Sequence, residues 1–145
     1  DRYSFYVGYT HLIFAKDDES DGEWSAGIRY EGLPYDLITS LNAYHSLDAK
    51  GTFYEWSNTR EFNPKDDLDI SLSGTFGWNH GYVEDGHDGL NFFSLGSGAK
   101  KILSGNFSLV GHGVYSWAID PDLNLAGDLG LKDFLHFGLG VEFDF

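Results

Sequence analysis

The sequence predicts an all-β protein: one domain over residues 1–145, folded as eight antiparallel up-and-down strands closed into a barrel. Three observations predict this class. Apolar residues alternate with small or polar residues along most of the chain, turn residues divide it into eight segments, and no apolar stripe of helical period occurs. Closure is expected because an unpaired edge strand exposes hydrogen-bonding groups to other chains.

The segments are defined by turn chemistry, and most of them show a period of two. In the last segment the alternation runs over residues 135–145, where every odd-numbered residue is apolar and the even-numbered ones are small, charged or His. The eight segments lie roughly at 4–15, 23–32, 36–47, 51–62, 67–82, 89–102, 106–119 and 133–145. They are longer than the five or six residues of an average strand and suffice for a tilted membrane crossing.

Composition excludes several classes of function. Nine Lys and Arg against 23 Asp and Glu give a net charge of −14, which disfavours a nucleic-acid-binding face. The absence of Cys excludes disulfides, thiol nucleophiles and Cys-ligated metals. A hydrophobic fraction of 41% is too high for a disordered chain, and no apolar run is long enough for a transmembrane helix.

Connection lengths alternate along the chain. The longer connections are residues 16–22, 83–88 and 120–132, and the shorter ones are 33–35, 63–66 and 103–105. Long loops at one end and short turns at the other are typical of outer-membrane barrels. The connection at 47–51 departs from this rule, because it is short on the long-loop side. Residues 120–132 have two interpretations: a loop that folds over the barrel mouth or touches a partner, or an extension of the last two strands.

The C-terminal strand carries a resemblance to a known class. Its alternating apolar residues and terminal aromatic are Phe137, Leu139, Val141, Phe143 and Phe145. With them the chain resembles small eight-stranded outer-membrane β-barrel proteins, in which such a strand is the signal recognised by the barrel-assembly machinery. The resemblance implies a transmembrane barrel in a bacterial outer membrane, with both termini periplasmic, a bilayer containing lipopolysaccharide around it, and a monomeric state.

Aromatic residues fall near both predicted ends of the strands, as membrane-interface aromatics do. The expected interface aromatics at the long-loop rim are Trp24, Trp78, Tyr82, Tyr115 and Trp117. At the opposite rim they are Tyr30, Tyr35, Phe62, Phe107, Phe143 and Phe145.

The polar face of the strands is predicted to line the interior. Its charged residues form the expected lumenal charge network: Arg29, Glu31, Glu55, Asp69, Lys100 and Glu142. Asp69 and Lys100 are expected at similar height on neighbouring strands, as an ion pair. An eight-stranded barrel is just wide enough for side chains to fill it, so a plugged interior is expected. The alternative architecture is a soluble lipocalin-like barrel with its apolar side chains inward around a ligand.

Catalytic and metal-binding residues are not strongly indicated, and no cofactor is expected. The alternative for a lipid-modifying hydrolase is His112 and Ser116 on one strand with His136 on the next, because nucleophilic catalysis needs Ser beside His. The alternative for a divalent cation is the set of loop carboxylates Asp17, Asp18, Asp21, Glu84, Asp85 and Asp88.

The function expected first is a non-catalytic envelope or surface-interaction role in the outer membrane. The alternatives are a channel or transporter for small or hydrophobic solutes, a barrel-embedded lipid-modifying hydrolase, and a soluble lipocalin-like ligand carrier.

Overall fold

The computed structural model describes residues 2–14 and 19–143. These residues form one antiparallel sheet in which each strand pairs with the next along the chain. The strands are β1 (Tyr3–Phe14), β2 (Glu19–Tyr30), β3 (Leu37–Ser46), β4 (Thr52–Lys65), β5 (Leu68–His80), β6 (Gly89–Ser104), β7 (Phe107–Ala118) and β8 (Phe134–Phe143). Two single-turn 3-10 helices lie at Pro34–Asp36 and Ala126–Asp128. Within this described part of the chain, no helix is both long and apolar enough to cross a membrane.

The predicted number and order of strands are confirmed, and most boundaries agree within a few residues. β2 begins at Glu19, inside the connection expected at 16–22, because the β1–β2 hairpin continues in register beyond the segments predicted for the two strands. β4 extends to Lys65 through the expected turn at 63–66, with a register shift after Phe62. Residues 120–132 do not extend the last strands; they form a loop that contains the second 3-10 helix.

The sheet has two chemically different faces. Residues paired in register across the sheet, starting from Phe5 on β1, form a continuous row of apolar side chains on one face. The row consists of Phe5, Ile28, Leu41, Trp56, Phe76, Phe93 and Trp117. The rings of Trp56, Phe76, Phe93 and Trp117 follow one another with centroids 4.8–5.8 Å apart. The other face carries mainly Gly, Ser and charged residues.

Contacts between strands that are not neighbours show that the polar face is concave. The Tyr82 hydroxyl, just after β5, donates a hydrogen bond to Glu23 on β2. Lys100 Nζ on β6 lies 2.9 Å from Glu142 Oε1 on β8, across β7. The apolar row is therefore on the convex face.

Burial is inverted relative to a water-soluble core. No hydrophobic side chain whose burial the structure describes is buried, whereas seven polar ones are: Ser46, Asn79, Asn91, Ser94, Ser108, Ser116 and Asp128. On the convex face Leu139 is 84% exposed and Phe137 is 74% exposed. The apolar side of the sheet thus lies outward, and the polar side is packed within its curvature.

The curved sheet is not closed. The described pairings contain no ladder between β1 and β8, which are the two edge strands. The architecture confirmed is therefore an all-β, eight-stranded up-and-down sheet, whose curvature is consistent with a barrel but whose edges remain apart.

Candidate functional site

Aromatic rings fill the concave face at the end where the longer loops lie. The Phe53 ring stacks on Phe92 at 6.0 Å and lies 5.8 Å from Tyr82. Gly77 lies beneath them, and a Cβ on Gly77 would come within 2.3 Å of the Phe92 ring. We call Phe53, Tyr82 and Phe92 the aromatic plug. Its rings occupy space that the sequence pattern assigned to small and polar residues.

A bulge in β6 explains why Phe92 points inward. Gly77 pairs with Phe92 while the next residue, Trp78, pairs with Leu90, so Asn91 is an additional residue in β6. Leu90 and Phe93 therefore lie on the convex face and Phe92 on the concave face. A strict period of two cannot put Leu90 and Phe93 on one face and Phe92 on the other.

Carboxylates near the plug are paired with phenols. Glu23 accepts a hydrogen bond from Tyr82, and Glu55 Oε2 accepts one from the Tyr44 hydroxyl at 3.1 Å. Tyr82 was expected among the interface aromatics. In the structure it is part of the plug, where its ring lies against Phe53 and its hydroxyl bonds to Glu23.

At the short-turn end the concave face holds a polar cavity of about 470 Å³, lined in part by Asp69, Lys100 and His112. Asp69 and Lys100 lie directly opposite each other in register, at the similar height that the sequence predicted. The contacts recorded there are Lys100 Nζ to Glu142 Oε1 at 2.9 Å and Asn63 Nδ2 to Asp69 Oδ1 at 2.6 Å.

The predicted charge network is distributed over the concave face rather than gathered at one point. Arg29 and Glu31 form a 2.9 Å ion pair on β2 and its following turn, and Lys100 and Glu142 form a separate one on β6 and β8. Glu55 lies between these regions on β4, bonded to Tyr44.

The residues of the hydrolase alternative are only partly brought together. The His112 and His136 rings lie 5.1 Å apart on neighbouring strands. Ser116 is four residues along β7 from His112, a separation of roughly 13 Å in an extended strand. It lies opposite Ser94 and Phe134. The described hydrogen bonds include none between Ser116 and either His.

The loops following β5 and β7 are joined by a buried His–Asp pair. His87 Nδ1 lies 2.6 Å from Asp128 Oδ2, and the His87 backbone N–H donates to Asp128 Oδ1 at 3.1 Å. Asp128 Oδ2 also accepts the Asp122 N–H at 2.8 Å. The side chains of Asp128 and His87 are only 2% and 14% exposed. We call the joined segments 81–88 and 119–133 the loop cap.

Asn79 anchors the loop cap to the sheet. It is fully buried at the end of β5, and its Nδ2 donates to the His87 carbonyl at 2.8 Å. Its Oδ1 accepts the backbone N–H groups of Tyr82 and Val83 at 3.1 and 3.0 Å. One side chain thereby satisfies three backbone groups that the loop conformation would leave without partners.

The pKa values of the pair move in opposite directions. Burial disfavours the His87 imidazolium, but the Leu90 carbonyl and the Asp128 carboxylate outweigh it and raise the His87 pKa above its usual value. Burial alone would raise the pKa of Asp128. Hydrogen bonds from the Asp122 and His87 backbones and from the His87 ring hold it below the usual value instead. Both shifts favour the charged forms.

Loop carboxylates do not assemble into a metal site in the part of the chain described, where no cluster of three or more His, Asp or Glu has suitable geometry. Asp88 accepts the Gly81 N–H at 2.7 Å and lies 3.4 Å from His80, while Glu84 and Asp85 are exposed. Asp17 and Asp18 lie outside the described residues, as does the side chain of Asp21.

Aromatics on the convex face lie at both ends of the strands. Trp24 contacts Tyr9 at 5.1 Å toward the loop end, and Tyr30 stacks on Tyr3 at 4.5 Å toward the other. Of the other predicted interface aromatics, Trp78, Tyr115, Trp117 and Phe107 are exposed on this face. So are Phe137, Leu139, Val141 and Phe143 of the C-terminal strand, while Phe145 lies outside the described residues. Tyr35 is exposed in the 3-10 helix before β3, and Phe62 is half-buried.

The His87–Asp128 pair was not predicted, because its members are 41 residues apart and both looked like solvated loop residues. The only local signal is a preceding glycine in each case, Gly86 and Gly127, which lets the two backbones approach. Gly127 N–H donates to the Asp85 carbonyl at 3.0 Å, and a Cβ there would lie 2.5 Å from the Glu84 carbonyl oxygen.

Comparison of the chain with protein-family models, curated proteins and solved structures found no match. Its function is therefore inferred from the polarity, packing and hydrogen bonding of the chain itself.

Proposed function

We propose that this chain is an integral outer-membrane β-barrel with a non-catalytic envelope role, embedded through its convex face and presenting the loop cap at the membrane surface. The observation that carries the proposal is the inverted burial: the convex face is apolar and exposed, and the buried side chains are polar. In this proposal the bilayer is the solvent of the convex face. The barrel-assembly machinery acts on the chain only during insertion.

Exposed apolar side chains give the energetic reason for a bilayer. Among the described residues, 29 large hydrophobic side chains are exposed, and burying one typically contributes about 1.5–3 kcal/mol. Soluble monomers rarely expose a contiguous apolar patch larger than a few hundred Å². Hydrocarbon chains around the convex face would provide the missing apolar surroundings.

Membrane insertion requires β1 to pair with β8, because open sheet edges do not occur in hydrocarbon. The proposed seam pairs Tyr3 with Phe143. The in-register row that starts at Phe5 reaches Trp117 on β7 and then position 133 on β8, since Ser116 lies opposite Phe134. With Tyr3 paired to Phe143, position 133 would lie opposite position 13 of β1 rather than opposite Phe5. The eight residues between positions 5 and 13 would be the stagger of the closed barrel.

A stagger of eight residues suits eight strands, as in the closed eight-stranded barrels of (β/α)₈ enzymes. The same pairing keeps the faces consistent. It sets Val7 opposite Leu139 and Tyr9 opposite Phe137, so that apolar side chains of both edges lie on the convex face. The edges also have similar lengths, 12 residues in β1 and 10 in β8.

The non-catalytic part of the proposal rests on the concave face. Its loop end is filled by the aromatic plug, and the carboxylates of Glu23 and Glu55 are bonded to tyrosines there. A plugged interior suits an anchor for the loop cap better than a conduit for solutes.

The first experiment is extraction of the protein from cells, followed by gel electrophoresis in SDS with and without boiling. An integral barrel requires detergent for extraction, and its unboiled form migrates differently from the boiled one. Extraction into buffer without detergent would overturn the proposal and favour the soluble ligand carrier.

A matched pair of substitutions tests the solvent of the convex face. Leu139 lies mid-strand on β8, and Leu123 is 74% exposed in the loop cap. In a bilayer, Leu139→Arg should cost about 2–4 kcal/mol of folding free energy, measured by urea titration in phospholipid vesicles, and Leu123→Arg should cost little. If both substitutions were neutral, Leu139 would face water, as an exposed leucine of a soluble protein does.

A further inference from the structure

His87 is held with both ring nitrogens facing oxygen acceptors. Nδ1 lies 2.6 Å from Asp128 Oδ2, and Nε2 lies 3.2 Å from the Leu90 carbonyl oxygen. Neither oxygen carries a hydrogen when Asp128 is ionised. Only the imidazolium, with an N–H on each nitrogen, can donate to both. A neutral ring would leave one nitrogen lone pair against an oxygen lone pair in a nearly buried site.

The two loops have few other connections of this kind. Between them the structure records the Gly127 N–H to Asp85 carbonyl bond and the two bonds of His87 to Asp128. Losing the ring contact therefore removes a large part of what joins segment 81–88 to segment 119–133.

We propose that the His87–Asp128 pair is a pH-sensitive latch, which holds the loop cap together while His87 is charged and releases it when His87 loses its proton. The inference concerns contacts within the loop cap alone, so it stands whether or not the convex face lies in a membrane. Its consequence is regulatory, because opening the cap would uncover the buried polar side chains beneath it, Asn79 first.

The acidic groups around His87 favour its protonated form. Asp128 bonds to the ring, and Asp120 acts on it from the same loop. Its own loop contributes Glu84, Asp85 and Asp88, and the groups facing it from β5 and β6 are the neutral Asn79 and the Leu90 carbonyl. The one basic residue of the two segments is Lys132.

The direction of the pH effect follows from the two pKa shifts. The His87 pKa is raised in the closed cap, so its stabilisation is complete below about 6.5 and is lost as the pH rises through the raised value. Between these two values the ratio of open to closed cap rises up to tenfold per pH unit. The lowered pKa of Asp128 keeps its carboxylate charged to below pH 3.8.

The test uses the absence of cysteine in the chain. Spin labels are attached to Glu84→Cys and Leu123→Cys, exposed positions on the two segments, and their separation is measured by pulsed electron paramagnetic resonance at pH 5.5 and 8.5. The latch predicts a narrow distance distribution at pH 5.5 and a broad one at pH 8.5. A distribution that does not change with pH would overturn it.

Two substitutions separate the latch from other titrations. His80→Gln is the matched control, because His80 and Asp88 form an exposed pair 3.4 Å apart in the same region; the pH response should persist. His87→Gln should give the broad distribution at both pH values. If the response survived in His87→Gln, another group would be its cause and the proposal would fail.

A second measurement guards against misfolding of the variants. The His87 ring titration in the unsubstituted protein, followed by NMR, should have its midpoint above 6.5, and Asp128→Asn should lower that midpoint. A midpoint at or below 6.5 in the unsubstituted protein would also overturn the latch.

Discussion

At the scale of single residues, the polar side chains with the most consequence lie at the ends of strands. Asn79 is fully buried and holds three backbone groups of the segment that follows it. An amide suits this position because it both donates and accepts, whereas a carboxylate could only accept. The conformation of the loop after β5 therefore depends on one side chain of the sheet.

Asn79→Ala should destabilise the protein by about 3 kcal/mol or more, because three backbone groups lose their partner at about 1–3 kcal/mol each. The free energy of unfolding in urea measures this. Asn124→Ala is the control, since the exposed Asn124 bonds only to Asp122 within its own turn; its effect should stay within about 0.5 kcal/mol. Equal effects of the two substitutions would contradict the anchoring role.

At the scale of elements, β4 and β6 carry aromatic residues on both faces, with different roles. Phe53 and Phe92 stack inside the curvature above Gly77. The rings of Phe76 and Phe93 lie 4.8 Å apart on the convex face, tilted by 35°. The Asn91 bulge makes both arrangements possible, because it changes which face the residues of β6 occupy.

Removing the aromatic plug should open the interior. The double substitution Phe53→Ala and Phe92→Ala should produce ion conductance in a planar lipid bilayer, where the unsubstituted protein conducts little. Phe76→Ala with Phe93→Ala removes two rings from the same region on the convex face and should not conduct. Conductance from both double variants would indicate general loosening rather than loss of a plug.

At the scale of the whole molecule, the proposed barrel depends on a seam in which β1 pairs with β8. A curved sheet with a consistent stagger brings its edges toward each other, and side-chain alternation allows only even offsets between them. The proposed pairing of Tyr3 with Phe143 sets Val7 opposite Leu139.

Cysteines at Val7 and Leu139 should form a disulfide in the closed barrel, because directly paired residues have Cα atoms within bridging distance. The chain has no native Cys to compete. The bridge is detected by a change in gel mobility after mild oxidation. Cysteines at Val7 and Phe143, four positions out of register, form the control and should stay reduced. Cross-linking of Val7 to Val141 instead would contradict the stagger of eight.

Prediction from the sequence succeeded where the physics is local. A strand has a period of two, so the alternation from Leu135 to Phe143 identifies both β8 and its apolar face from the residues themselves. The prediction that Asp69 and Lys100 lie at similar height on neighbouring strands also depends on local structure, because hairpin connections set the register of such strands.

The candidate site was less predictable. Tyr82 and Phe92 were not placed inside, because a turn and a bulge each reverse the direction that alternation implies. The contact between His87 and Asp128 depends on how two loops meet after the sheet curves, and no pattern within either loop specifies that.

The number, order and polarity of the eight strands can be read from the residues alone, because backbone pleating converts a local alternation of residues directly into two faces. The filling of the concave face, the joining of the loops and the burial of His87 against Asp128 emerge only in the folded chain. Those outcomes arise from curvature accumulated over all eight strands, which brings together residues far apart in the chain.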